Sequence, residues 1–352
     1  MQAIQAKIEA GERIGGEEFL NLAREADLHQ LGFLADSIRR RLHPEPVVTY
    51  VIDRNINYTD ICISGCKFCA FYKAPEDRDG QVLSREQLAE KIRETQSLGG
   101  TQVLLQGGLH PDLPLEFYED MLRFMKSTSI HIHGFSPPEI HHFSQISGLP
   151  IATVLKRLID AGLNSIPGGG AEILCDRVRN ELAPRKCSAD QWIEIMEEAH
   201  RLGLRTTATM MFGHIETMEE RLEHLERVRD LQDRTGGFTA FIPWPFQPDH
   251  TPLAAARKIE KTTAVSYLRM LALSRIFLDN IRNIQASWVT QGPKIAQLSL
   301  FFGANDFGST MIEENVVAAA GIHFRLSEEE IRRLVSDAGF SPQQRLMDYT
   351  PV

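Results

Sequence analysis

The chain has 352 residues, with 38 lysines and arginines against 47 aspartates and glutamates, which gives a formal net charge of −9. Hydrophobic residues make up 43% and charged residues 24% of the chain, a composition that indicates a globular protein and excludes a disordered, collagen-like or coiled-coil one. The acidic balance argues against a nucleic acid partner, and the lack of a signal peptide or a long apolar run predicts a cytoplasmic protein without membrane insertion.

The first 45 residues are predicted to form a helical N-terminal extension. Apolar residues recur at spacings of three and four over 17–26 and 31–42, and two prolines then end this pattern. From Val47 onward, short apolar or β-branched runs alternate with helical stretches. This alternation is typical of an α/β protein.

Eight strands are predicted in the alternating region. They fall near 48–54, 102–106, 129–133, 164–166, 205–211, 238–243, 283–288 and 299–303. Eight strands alternating with helices over about 270 residues favour a (β/α)₈ barrel of the TIM type over a doubly wound sheet. Residues 289–298 barely leave room for the last crossover helix, so a partial six-stranded barrel is the alternative.

The helices between the strands are expected to begin at capping boxes, in which a serine or threonine precedes a glutamate or glutamine by three residues. These boxes start at Ser84, Ser136, Ser188, Thr217 and Thr310. We expect the barrel to span 46–325 and a short C-terminal tail with one helix to span 326–352. In such a barrel the reactive side chains gather where strands end and helices begin.

Three of the five cysteines form the strongest local motif. Cys62, Cys66 and Cys69 have the spacing C-x₃-C-x₂-C, and Gly65 allows the backbone to fold tightly around a bound cluster. A structural zinc site normally uses four protein ligands, so three thiolates favour a [4Fe–4S] cluster with one iron left open. Core cysteines, or a zinc site completed by a histidine or a distant cysteine, are the alternatives.

This motif, with Phe68 before its last cysteine, resembles the signature of the radical S-adenosylmethionine (SAM) enzymes. The resemblance implies that Cys62, Cys66 and Cys69 hold a [4Fe–4S] cluster whose open iron binds SAM. It also implies that an electron from the cluster releases a 5′-deoxyadenosyl radical, and that a reductant protein such as flavodoxin or ferredoxin supplies this electron. In that superfamily the cluster loop follows the first barrel strand, which is where these cysteines fall.

Further segments extend the resemblance, over most of residues 45–345, to the radical SAM enzymes of the menaquinone (futalosine) pathway and their deazaflavin-synthase relatives. These segments are 165–172, 206–217, 235–243 and 302–308. Residues 244–248 and 283–292 look closer to the dehypoxanthine futalosine cyclases than to the sister aminofutalosine synthases. The implied substrate, dehypoxanthine futalosine, is a ribose linked to a carboxyphenyl group, and the implied reaction is hydrogen abstraction at ribose C4′ followed by ring closure onto the benzoate. A non-catalytic iron–sulfur carrier or a zinc-binding protein is the alternative from another class.

Residues at the strand ends are candidate SAM ligands. Gly107 and Gly108 follow the second strand, and the resemblance to radical SAM enzymes implies that a glycine pair there lets backbone groups approach the methionine end of SAM. By the same resemblance Glu172 is the candidate for the SAM ribose and Lys186 for the SAM carboxylate, with Phe68 beside them in the motif. An ordinary glycine turn, a glutamate in a first helical turn and a surface lysine are the structural alternatives.

A cyclisation onto a benzoate ring also needs a base for the departing proton, and His214, Glu216 and Asp306 are the candidates. A hydrogen-bonded core histidine and a first-turn charge are the alternative interpretations of the first two. An aromatic substrate needs a stacking surface and a few directed polar groups. The candidates for these contacts are His133, Gln285, Ser287, Trp288 and Asn305.

Overall fold

The computed structural model describes all residues from Met1 to Val352. It contains sixteen helices, of which three precede the first strand. The helices are α1 (Gln2–Glu9), α2 (Gly16–Glu25), α3 (Leu28–Leu42), α4 (Arg85–Ser97), α5 (Leu115–Lys126), α6 (Pro137–Ser147), α7 (Ile151–Ala161), α8 (Asp176–Leu182), α9 (Ala189–Arg201), α10 (Met218–Thr235), α11 (Pro252–Ala256), α12 (Ala264–Phe277), α13 (Trp288–Gln291), α14 (Pro293–Ser299), α15 (Val316–Ala319) and α16 (Glu328–Asp337).

Ten strands form two parallel sheets. The strands are β1 (Val47–Val51), β2 (Asp53–Asn57), β3 (Gln102–Gln106), β4 (His131–Gly134), β5 (Ser165–Ile166), β6 (Arg205–Phe212), β7 (Phe238–Pro245), β8 (Asn283–Ile284), β9 (Asp306–Ser309) and β10 (Ser341–Gln344). One sheet runs in the order β2-β3-β4-β5-β6-β7-β8, and the other in the order β10-β1-β9. Sequential neighbours in the larger sheet are joined by helices, which is the construction of a (β/α) barrel.

The two sheets close into a ring. β1 continues into β2 after a single residue, Ile52, so the two sheets share one run of chain. On the other side, Gln285 just after β8 forms a parallel bridge with Asp306 at the start of β9. β9 pairs with β1, and the Thr310 N–H then donates to the Val51 carbonyl. The α/β barrel fold expected from the sequence is confirmed.

The last predicted strand is wrong. Residues 299–303 end α14 and form the turn after it, and the strand lies later, at Asp306–Ser309. A short apolar run suits a strand and a buried helix equally well, and here Pro293 at the first helical position sets a helix. Thr310 does not cap a helix either, because α15 begins at Val316, where the carboxylate of Glu314 accepts the free backbone N–H groups.

The other helix starts follow the sequence signals. Ser84, Ser188 and Thr217 each accept a hydrogen bond from the backbone N–H three residues later, and α6 begins directly after Ser136. These caps satisfy N–H groups that a helix cannot satisfy itself, and they fix where each helix leaves the end of its strand. No helix combines the length and the apolar character needed to span a bilayer.

The N-terminal and C-terminal segments are packed on the barrel. One continuous core of 82 buried apolar residues includes Phe19 and Leu31 from the first helices and Ile331 from α16. The boundary expected at residue 325 remains a prediction, but the segment beyond it is more than a helix. Its strand β10 pairs in parallel with β1, and the residues after β10 enter the barrel.

Candidate active site

The three motif cysteines lie on the loop that follows β2, at the carboxyl end of the barrel strands. Cys62 Sγ accepts hydrogen bonds from the N–H groups of Ser64 at 3.4 Å and Leu109 at 3.3 Å. The Ser64 hydroxyl lies 3.0 Å from Cys66 Sγ. Gly65 has a φ of +58°, the left-handed conformation expected for it. The loop therefore surrounds two of the sulfur atoms with polar hydrogens.

Gly107 and Gly108 pack directly against this loop. A Cβ atom on Gly108 would lie 2.1 Å from the Ile61 carbonyl oxygen, and one on Gly107 would lie 2.5 Å from the Tyr58 ring. The lack of side chains thus lets the turn after β3 approach the cysteine loop, which brings the Leu109 N–H onto Cys62. Contact of this pair with SAM stays a prediction.

The donor chemistry of the loop fits an iron–sulfur cluster. All three cysteines are free thiols. Cys62 Sγ receives two backbone N–H groups and Cys66 Sγ lies beside the Ser64 hydroxyl, contacts that stabilise negative charge on sulfur. The three sulfur atoms do not form a preformed metal-ligand group in the structure. Burial raises the pKa of Cys66 to about 11, so metal binding has to displace its proton.

Glu172 and Lys186 form a buried ion pair next to the cysteine loop. Lys186 Nζ donates to Glu172 Oε1 at 3.0 Å and lies 5.0 Å from the centre of the Phe68 ring. Burial opposes the ammonium charge, but Cys66 and Glu172 outweigh it and raise the pKa of Lys186. The structure thus brings together three of the predicted SAM ligands, Phe68, Glu172 and Lys186, and Lys186 is not the surface lysine of the alternative interpretation.

A cavity of about 300 Å³ occupies the inside of the barrel. Five of the predicted cofactor and substrate residues line it: His133, Glu172, Gln285, Ser287 and Trp288. A smaller crevice of about 60 Å³ beside Phe68 and Cys69 shares Trp244 and Val316 with the cavity wall. The cavity is therefore adjacent to the cysteine loop.

The polar lining of the cavity is held in place by hydrogen bonds. The Ser165 hydroxyl lies 2.7 Å from the rings of both His131 and His133, so the two histidines of β4 face the same side. Burial lowers the pKa of His133 to about 3, so this ring is neutral at pH 7. The Trp288 indole N–H donates to the Ser309 carbonyl, which fixes the ring at the cavity wall.

Two of the three predicted bases form a closed network outside the cavity lining. His214 Nδ1 lies 2.8 Å from Glu216 Oε2, and its Nε2 lies 2.9 Å from the Met211 carbonyl. Glu216 also accepts hydrogen bonds from Arg221 and from the Gly213 N–H. Burial would raise the pKa of Glu216, but His214, Arg221 and the backbone N–H outweigh it and hold that pKa well below its usual range. This arrangement fixes the turn after β6 and does not support a role as base.

Asp306 and Asn305 are also engaged in structural contacts. Asp306 is fully buried and accepts hydrogen bonds from Arg345 and the Thr49 hydroxyl. Asn305 accepts from Arg275 and from the Ile284 N–H, which ties β8 to β9. Neither side chain lines the cavity, so the geometry does not support Asp306 as a base or Asn305 as a substrate ligand.

Sequence reasoning missed cavity residues on β3 and in the C-terminal segment. Gln102, Leu104 and Gln106 line the cavity from β3, and two glutamines on the same face of an otherwise apolar strand were a readable signal of an inward-facing row. Arg345 and Tyr349 line it from the C-terminal segment, where no local pattern indicates that the chain returns to the barrel.

A barrel with a three-cysteine loop after β2, the first strand of its larger sheet, and an internal cavity beside that loop defines the class of radical SAM enzymes. The sequence model of the Radical SAM superfamily matches residues 56–228, and that of the CofH/MqnC C-terminal region matches residues 235–352. The chain belongs to the radical SAM superfamily, whose members use SAM and an iron–sulfur cluster.

Similar proteins with established names cover nearly the whole chain. Cyclic dehypoxanthine futalosine synthase of Halalkalibacterium halodurans is 46% identical over 96% of this chain and 91% of its own length. The protein of the same name from Streptomyces coelicolor is 46% identical over 99% of this chain and 88% of its own. The 5-amino-6-(D-ribitylamino)uracil–L-tyrosine 4-hydroxyphenyl transferase of Methanococcoides burtonii is 42% identical over 91% of both chains.

Solved structures show the same fold at low sequence identity. Methylornithine synthase (PylB) superposes with a TM-score of 0.75 at 18% identity, covering 96% of this chain and 97% of that one. The FeFe-hydrogenase maturase HydG of Carboxydothermus hydrogenoformans gives a TM-score of 0.76 at 17% identity, covering 99% of this chain and 80% of that one.

Proposed function

We propose that this enzyme cyclises dehypoxanthine futalosine to cyclic dehypoxanthine futalosine in menaquinone biosynthesis. The observation that carries the proposal is the 46% identity, across nearly the full chain, to two proteins named for that reaction. The segments at 244–248 and 283–292, which look closer to the cyclases in sequence, include Trp244, Gln285, Ser287 and Trp288 of the cavity wall.

The proposed cofactor is a [4Fe–4S] cluster held by Cys62, Cys66 and Cys69, with its fourth iron open to SAM. Three thiols on one loop, and no fourth cysteine in that loop, support this type of cluster. When bound, the cluster and SAM would supply the 5′-deoxyadenosyl radical that abstracts hydrogen from ribose C4′. The Lys186–Glu172 pair would hold the polar groups of SAM, and a flavodoxin or ferredoxin would deliver the electron.

The role of the barrel in this reaction is to position the substrate and exclude water. Trp244 and Trp288 provide aromatic surface for the carboxyphenyl group, and Gln285 and Ser287 offer hydrogen bonds. Holding C4′ about 3–3.5 Å from the attacking carbon favours abstraction. The resulting carbon radical would add to the benzoate ring, and loss of one proton together with transfer of one electron to an acceptor such as the oxidised cluster would restore aromaticity.

The test is an anaerobic incubation of the reconstituted enzyme with SAM, dithionite and dehypoxanthine futalosine, followed by mass spectrometry. We expect a product two hydrogen atoms lighter than the substrate, together with free 5′-deoxyadenosine. Incorporation of the adenosine carbons into product would instead identify the sister aminofutalosine synthase reaction. Absence of the lighter product would refute the cyclase.

The second candidate function is the 4-hydroxyphenyl transfer reaction. Two relatives named 5-amino-6-(D-ribitylamino)uracil–L-tyrosine 4-hydroxyphenyl transferase are 42% and 44% identical to this chain. The same incubation with 5-amino-6-(D-ribitylamino)uracil and L-tyrosine tests it. A condensed product there, and none with dehypoxanthine futalosine, would assign the transferase reaction.

A further inference from the structure

The C-terminal segment closes the end of the cavity that lies opposite the cysteine loop. The Arg345 N–H donates to the Tyr50 carbonyl of β1, and Arg345, Met347 and Tyr349 then line the cavity at alternate positions. β1 precedes β2, and the cysteines follow β2, so this segment lies toward the amino ends of the strands. We call these three side chains the floor of the cavity.

Arg345 is held at the floor by one edge of its guanidinium group. Its Nε and Nη2 atoms donate to the two carboxylate oxygens of Asp306, and its Nη1 donates to the Leu346 carbonyl at 3.1 Å. A guanidinium group carries five N–H donors in a planar fork. Three are therefore engaged, and two remain, one on each terminal nitrogen. These two form the edge that binds carboxylates through paired hydrogen bonds.

Tyr349, whose ring packs against the Arg345 guanidinium group, adds a third free donor. Its ring lies 4.0 Å below the Arg345 guanidinium carbon, and its hydroxyl is buried with no hydrogen-bond partner. Gln102 Oε1, from the facing strand β3, is also buried and unpartnered at the cavity wall. A buried polar atom without a partner has lost its hydrogen bonds to water without replacement, so free donors and acceptors beside one cavity point to a ligand that pairs with them.

The other ionisable groups near the floor carry no unpaired negative charge that would repel a bound anion. Asp306 is paired with Arg345, and His133 is a neutral ring hydrogen-bonded to Ser165. Asp53 accepts hydrogen bonds from Ser309 and Gln102, and burial raises its pKa, which favours the neutral form. Attraction of an anion would therefore come from the directed N–H and O–H donors.

We propose that the free edge of Arg345 and the hydroxyl of Tyr349 bind the carboxylate of an aromatic substrate, so that the aromatic acid lies deep in the barrel and the reacting carbon faces the cysteine loop. This assignment rests on the proposed function, because the carboxyphenyl group of dehypoxanthine futalosine supplies that carboxylate. It gives Asp306 a positioning role, since Asp306 fixes which edge of Arg345 is left free.

The test measures substrate binding apart from turnover. Holoenzyme with SAM and no reductant is titrated anaerobically, by calorimetry, with dehypoxanthine futalosine and with its carboxamide, in which –CONH₂ replaces the carboxylate. We expect the acid to bind about tenfold or more tightly than the amide, the difference made by charge-assisted hydrogen bonds. In Tyr349→Phe and Arg345→Lys this preference for the acid should shrink to a few-fold.

The exposed arginine variant Arg333→Lys is the matched control and should keep the full preference. Tyr349→Phe removes only one oxygen, so it keeps the test decisive if Arg345→Lys does not fold. Equal binding of acid and amide by the wild type, or binding of neither, would overturn the floor site. Preferential binding of the acid without any cyclised product would keep the floor site and remove the cyclase assignment.

Discussion

The two ends of the barrel cavity are built in different ways. At one end, three cysteines within eight consecutive residues lie on a single loop, and two of them remain partly exposed. At the floor, Asp306 and Arg345 are separated by 39 residues and form a buried ion pair. The cysteine loop is made by local sequence, whereas the floor is made by two distant segments that meet only in the folded chain.

This difference separates residues that are needed only for activity from residues that are also needed for stability. A loop thiol can be removed without leaving a charge unpaired in the core. A member of the floor pair cannot, because the remaining charge would be buried alone. We therefore expect substitutions at the cysteine loop to abolish activity at little cost in stability, and substitutions at the floor to reduce stability as well.

The largest expected effect is at the cysteine loop. Replacing any one of the three cysteines by alanine (Cys62→Ala, Cys66→Ala or Cys69→Ala) should abolish SAM cleavage. The variant should also lack the iron–sulfur absorbance at about 400 nm after anaerobic reconstitution, because too few thiolates remain to hold the cluster. Thermal unfolding of the proteins before reconstitution should change little. Cys175→Ala is the matched control and should keep both signals. A variant of the loop that retained full absorbance and SAM cleavage would contradict the ligand assignment.

The next effect concerns the stability of the floor. Asp306→Asn should lower the free energy of unfolding by roughly 3–5 kcal/mol, because it leaves the Arg345 charge buried without its partner. Urea denaturation measures this loss. Asp337→Asn, which breaks an exposed pair with Arg333, should cost less than about 1 kcal/mol.

A double variant tests whether Asp306 and Arg345 contribute to stability as a pair. Asp306→Asn combined with Arg345→Met removes both charges, so its loss of stability should be smaller than the sum of the two single losses. Additive losses would show that the two side chains do not act as a pair.

A smaller effect is expected at the ion pair beside the cysteine loop. Lys186→Met should weaken SAM binding by about tenfold, the loss of one charge-assisted hydrogen bond, if Lys186 holds a polar group of SAM. Calorimetric titration of the reconstituted protein measures this affinity. Lys67→Met, which replaces an exposed lysine of the cysteine loop, should leave the affinity unchanged. An unaltered affinity in Lys186→Met would limit this lysine to a structural role.

The smallest effect is a pH dependence of stability caused by His224, a buried histidine that belongs to neither end of the cavity. Burial lowers the pKa of His224 to about 3, whereas in the unfolded chain it is about 6.5. The unfolded state therefore binds the proton first as the pH falls, and the contribution of His224 to stability, complete above pH 6.5, is lost below it. Between pH 7.5 and 5.5 this loss is about 1.4 kcal/mol.

Urea denaturation at both pH values should show that His224→Gln is less acid-sensitive than the wild type by this amount. The exposed His29→Gln should keep the wild-type dependence. Identical pH dependence in His224→Gln and wild type would contradict the neutral, buried ring.

Most of the fold was predictable because the signals are local. The alternation of strand and helix patterns predicted the barrel, and Ser84, Ser188 and Thr217 marked helix starts as caps. The prediction failed at 299–303, where an apolar run has no period that separates a strand from a buried helix. Within the site, His133, Gln285 and Trp288 were found because side chains at strand ends of a barrel face its cavity.

The sequence by itself determined the cysteine loop, since ligands for one cluster lie within eight residues and need only a tight turn at Gly65. Only the tertiary structure decided which polar residues have spare hydrogen-bonding capacity. His214, Glu216 and Asp306 have the chemistry of a base, but their neighbours already engage them. Arg345 and Tyr349 enter the cavity because β10 pairs with β1, a contact between distant parts of the chain that no local pattern encodes.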